Sequence, residues 1–134
     1  MALTKDRDTK RRDGVQFSHP LAASTVIFAG ALVALNAAGN AVPGATATTL
    51  TAVGVAQEHA DNAAGAIGDV RVEVRRGVFQ FANSAAADEI TRAEIGESAY
   101  IVDDQTVAKT NGTGTRSVAG IVRDVDAGGV WIEI

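Results

Sequence analysis

No cysteine occurs among the 134 residues, which excludes a disulfide scaffold, a thiolate zinc site and a cysteine nucleophile. There are two histidines, His19 and His59, too little material for a histidine-rich metal site. Aromatic residues number only six. Of the 62 apolar residues, 26 are Ala and 16 are Val, so the core has to be built from small and β-branched side chains. A net charge of −4 disfavours general nucleic-acid binding. The length suits one domain with a core of its own.

Charge is unevenly placed. Residues 1–13 carry Lys5, Arg7, Lys10, Arg11 and Arg12 against Asp6, Asp8 and Asp13, while the remainder is acidic. So polar a start cannot offset its own ordering entropy, and residues 1–14 read as an extended charged arm ahead of a single β domain over 15–134. From Gly14 to Gln57 the only ionisable side chain is His19. Leu21–Leu35 has the apolar look of a signal peptide. However, Ser24, Thr25 and Gly30 interrupt it, its leader is mixed in charge, and it is too short to span a bilayer as a helix. The expectation is a protein made in the cytosol, with part of its uncharged stretch forming a subunit interface.

The prevailing local pattern is strand. Val70-Arg71-Val72-Glu73-Val74-Arg75 alternates apolar and charged residues, as does Val130-Trp131-Ile132-Glu133-Ile134. Gly77–Phe81 and Tyr100–Val102 are further β-rich runs. Asn111-Gly112 and Gly128-Gly129 mark turns. At most one short helix is expected, where Ser84 could cap Ala85–Ile90. A faint duplication runs through the chain at one constant offset. Gly30–Leu35 aligns with Gly96–Ile101, and Val53–Glu58 aligns with Ala119–Asp124. The predicted fold is therefore all-β, a small barrel or sandwich of two similar halves, about 24–82 and 90–134.

Catalytic chemistry is hard to find. Glu58, His59, Asp61 and Asp69 invite a metal or acid–base reading, but Ala60–Gly68 reads as a loop in which they are solvated. Asp103-Asp104 fits turn chemistry, because adjacent strand residues point to opposite faces. His19 precedes Pro20 and has no acidic partner close in sequence. No glycine-rich loop leads into Lys-Ser/Thr and a helix, so no phosphate cradle is visible. Arg75-Arg76 and Arg11-Arg12 lack interleaved aromatics, which argues against a platform for single-stranded nucleic acid. No catalytic residue, cofactor or metal is expected.

The succession Val53–Ala56, Gly68–Val74, Gly77–Phe79, Gly96 through Tyr100–Asp104, Val118–Val122 and Val130–Ile134 resembles the head decoration (capsid cement) proteins of tailed bacteriophages. The likeness covers about Val15 to Ile134 and lies in the order and spacing of motifs. It implies a small β-barrel or sandwich without catalytic residues. Such a protein would bind the outside of the expanded icosahedral head, as a dimer or trimer, between major capsid protein subunits. It would be made in the host cytoplasm and end on the outer surface of the virion, with neither nucleic acid nor membrane as a partner. The candidate capsid or subunit contacts are Arg7, Arg11, Arg12 and Phe17, the arginines on charge alone. Two other readings stay open: another virion structural module (tail, baseplate or self-assembling shell), and a small ligand-binding β-barrel or enzyme using the mouth near Glu58, His59 and Asp61.

Overall fold

The computed structural model describes all 134 residues, Met1–Ile134. Residues 1–15 precede the first strand and are exposed throughout. Twelve strands follow: β1 (Gln16–Pro20), β2 (Thr25–Ile27), β3 (Leu32–Leu35), β4 (Ala41–Pro43), β5 (Thr51–Ala56), β6 (Ala60–Asn62), β7 (Arg71–Arg75), β8 (Val78–Asn83), β9 (Ser98–Ile101), β10 (Thr106–Ala108), β11 (Val118–Asp126) and β12 (Gly129–Glu133). The architecture is all-β, as the alternating sequences require. In β7, Val72 and Val74 are buried while Arg71 and Arg75 are exposed.

The strands form two five-stranded units and a small ribbon of β2 with β6. The first unit runs β1-β7-β5-β3-β4, and its outer strands meet at a single parallel bridge, Leu21 with Ala41. The second is a closed barrel, β10-β8-β12-β11-β9. Strand for strand these are the same unit. Leu32 pairs with Val55, and Val33 with Gly54; at the equivalent positions of the second unit, Ser98 pairs with Ile121, and Ala99 with Gly120. Both ladders then break register at a bulge and resume at Ala34 with Ala52 and at Tyr100 with Val118. The hydrogen bond from Gly30 N to Ala56 O recurs from Gly96 N to Val122 O, each at 2.8 Å.

The boundary between the halves differs from the sequence expectation of 24–82 and 90–134. β1 belongs to the first unit through its pairing with β7, and β8 to the second through β12 and β10, so the units are residues 15–76 and 77–134. The loop before β3 differs in length from its counterpart before β9, which hides these strands from a single-offset alignment.

The expected helix is also corrected. Ser84 Oγ donates to Val107 O at 2.8 Å rather than capping, and Asn83 holds both the N–H and the C=O of Ile90. What remains is one 3-10 turn, Ala86–Asp88. A second, Arg92–Glu94, is closed by a capping box between Thr91 and Glu94 that the sequence reading missed. Ala60–Asn62, expected within a loop, is the strand β6. Buried Asn62 at its end donates to Ala22 O and Ala66 O and so ties down the turn that follows.

Two cores result. Leu21, Ile27, Val33, Ala56, Val72 and Val74 fill the first unit. Phe81, Ile101, Val107, Val122, Val130 and Ile132 fill the second, joined by Leu32, Ala34 and Val55 from the outer face of β3 and β5. Eleven residues of the uncharged stretch, among them Leu21, Ile27, Ala31–Ala34 and Val55, are therefore buried within the chain itself. The loop after β4 strengthens this junction: Thr46 Oγ1 donates to Val102 O, and Ser117 Oγ donates to Ala47 O.

Candidate contact surface

The arm leads into β1, whose register with β7 sets Phe17 opposite Val74 and Gln16 opposite Arg75. The Arg12 guanidinium lies over the Phe17 ring, 4.8 Å from its centroid, a cation–π contact that fixes the root of the arm. Arg11, Arg12, Asp13 and Gly14 line a shallow open groove there. Arg7 is farther out and exposed. Three of the four sequence-selected residues are thus brought together, and Arg7 is not.

β1 keeps a partly open outer edge. Val15 O accepts from Arg76 N and Leu21 N donates to Val70 O, so odd-numbered residues bond to β7 while the backbone groups of Gln16 and Ser18 face away. In the second barrel the seam is closed by Ala82 N donating to Gln105 O at 2.8 Å. The counterpart of Ala82 is Pro20, which has no N–H to give. Arg71 then covers the edge from outside, donating through Nη2 to Ser18 O at 2.9 Å and through Nε to Ser18 Oγ at 2.8 Å. A proline on the edge strand, and a cation from the neighbouring strand laid across it, both discourage indiscriminate strand pairing.

The charges divide sharply between the units. Arg92, Lys109, Arg116 and Arg123, the four cations beyond residue 76, are all ion-paired, to Asp124, Glu94, Asp88 and Glu133 respectively. None of the eight Lys and Arg residues before residue 77 makes an ion pair. The paired acids serve the fold. Glu94 is held below the usual carboxylate range by hydrogen bonds from the Thr91 N–H and hydroxyl, with Lys109 adding to them. Asp88 is lowered by the Thr110 hydroxyl and then by Arg116. Asp126 makes no ion pair but is lowered by the Trp131 indole N–H at 2.9 Å and by backbone donors of the Gly128-Gly129 turn.

The acids of the alternative site near His59 are each engaged by backbone N–H groups, two of them in local turns. Asp61 accepts from Ala63 N, Asp69 from Ala66 N, and Glu58 from Glu73 N. His59 instead packs against exposed Phe28, ring centroids 5.2 Å apart. Asp103 accepts from Gln105 N, an Asx turn. No group of three or more His, Asp or Glu side chains is placed to hold a metal ion. His19 faces the first core opposite Val72, where the second barrel carries Phe81 opposite Val130. Burial lowers its pKa, Arg71 lowers it further, and Glu73 partly opposes them.

Arg75 and Arg76 were not singled out as contact residues by the sequence. Their doublet was visible, but its proximity to the arm root comes only from the β1–β7 register. Comparison with protein-family models, with curated proteins and with solved structures finds no match for the chain.

Proposed function

We propose that this chain is a structural surface-binding protein of the phage-head decoration type, attaching to the outer face of an expanded capsid between major capsid protein subunits. The observation that carries the reading is the tandem unit. The Gly-led and alternating strands behind the resemblance recur in two five-stranded units of one register, with Asp88, Glu94 and Asp126 of the closed barrel engaged in holding its turns and strands. Such a body acts as a rigid spacer, and the exposed arm with Arg7, Arg11 and Arg12 supplies the contact, with Phe17 of β1 seating Arg12 at its root.

The mechanism is thermodynamic. A protein that binds the assembled lattice and not free subunits stabilises the lattice by mass action, and a dimer or trimer spanning several subunits multiplies this through effective concentration. Expansion gates attachment if it creates the composite site.

Sedimentation of the purified protein with undecorated, expanded heads tests the reading. Saturable co-sedimentation at a fixed ratio to capsid subunits, with heads more resistant to heat, is the expected result. Homotypic rings or tubes without head binding would favour another virion module. A ligand-dependent melting shift without head binding would favour the binding-domain reading.

A further inference from the structure

We infer that the root of the arm and the adjoining end of β7 form an arginine cluster, Arg11, Arg12, Arg75 and Arg76, that binds a carboxylate-rich segment of a protein partner. The inference deepens the proposed function by naming the chemistry of the contact. The antiparallel pairing of β1 with β7 places Arg75 opposite Gln16, and Arg76 N bonds at 2.7 Å to the carbonyl oxygen of Val15, three residues beyond Arg12; Arg76 therefore leaves the strand end on the side of Phe17 and Arg12, and Arg75 flanks it on the other side. All four arginines are exposed and none is ion-paired. The nearby acids do not neutralise them: Glu73 accepts from Gln16 Nε2 at 3.1 Å, and Asp13 makes no ion pair.

Arginine presents a planar fork of donors that matches a carboxylate two bonds at a time. In the second barrel every cation already has a carboxylate partner within the chain; at the arm root the partner has to come from outside. Two observations favour protein carboxylates over nucleic acid. The one aromatic ring at the cluster, Phe17, is covered by Arg12 and so withheld from base stacking. Arg71, which could have extended the patch along β7, is committed to Ser18.

The test uses the full chain with two double variants, Arg75→Gln/Arg76→Gln and Arg11→Gln/Arg12→Gln, each checked for an unchanged melting curve. Binding is measured to poly-L-glutamate, to an oligothymidylate of equal charge, and to undecorated expanded heads, over a range of NaCl. The expected result is poly-L-glutamate binding that weakens with salt and falls roughly tenfold or more in either double variant, with the same loss on heads. Preference for the oligothymidylate overturns the assignment in favour of nucleic acid. So does salt-sensitive self-association of the wild type that disappears in the variants without poly-L-glutamate binding, which would make the cluster a contact between copies. If heads are bound equally by wild type and variants, the cluster is refuted and the decoration role stands. If poly-L-glutamate is bound through these arginines but heads are not, the decoration role fails and the cluster stands.

Discussion

Gly54 and Gly120 hold the same position in the two five-stranded units, each facing the carbonyl oxygen of an adjacent strand's last residue, Arg75 O for one and Glu133 O for the other. A β-carbon on either would overlap that backbone oxygen and the side chain beside it, Val74 or Ile132. This close approach lets β5 fold over β7, and β11 over β12, tightly enough to curl each sheet.

Gly54→Ala and Gly120→Ala should therefore each cost about 2 kcal/mol, because a backbone strand and not a flexible side chain has to move. Equilibrium urea unfolding measures this. A loss under about 0.5 kcal/mol, the level of ordinary surface changes, would mean that the approach is not rigid.

His19 supplies a pH dependence. Its lowered pKa means that the unfolded chain takes up its proton first as pH falls, so its contribution is complete above the usual histidine value of roughly 6.5 and is lost as pH falls through the lower folded value. His19→Phe, which copies Phe81 of the second barrel, should stabilise the first unit by about 1 kcal/mol and flatten the stability profile across that window. Thermal melts from neutral to mildly acidic pH check both, and an unchanged profile would remove His19 as the cause.

Asp126 reports on itself through the only tryptophan. Its carboxylate accepts from the Trp131 indole at 2.9 Å, and the same donors hold its pKa below the usual aspartate range. Trp131 emission should therefore stay constant through mildly acidic pH and change only below the ordinary aspartate midpoint. In Asp126→Asn that step should be absent. A transition at the ordinary midpoint in the wild type would show that the hydrogen bond does not hold in solution.

Deleting residues 2–13 should leave both five-stranded units intact, because the arm is exposed from Met1 onward and adds only the Arg12–Phe17 contact at its root. The melting temperature should move by no more than about 2 °C. Head occupancy in co-sedimentation should fall sharply, and full occupancy would take the arm out of the contact.

Much of the fold was legible because its signals are local. Alternation over Val70–Val74 and Val130–Ile134, and glycines repeated at one spacing (Gly30 with Gly96, Gly54 with Gly120), report strands and their bulges directly. What stayed hidden depends on partners distant in the chain. Ser84 has the chemistry of a cap, but the carbonyl of Val107, on the far side of both 3-10 turns and β9, takes its hydroxyl. The weak likeness of Gln16–Pro20 to Val78–Asn83 concealed where each unit begins. At the candidate surface, Arg11 and Arg12 stood out by charge. Arg75 and Arg76 joined them only because antiparallel pairing brings the last strand of the first unit back beside its first.

The asymmetry of the two cores has a consequence for synthesis. Every residue filling the first core lies before residue 77, so that unit can close while the rest of the chain is still being translated. The second core includes Leu32, Ala34 and Val55, so it is completed against a surface already in place. The first unit can thus offer a finished face to the second, because a ribosome releasing the chain in order delivers that face first.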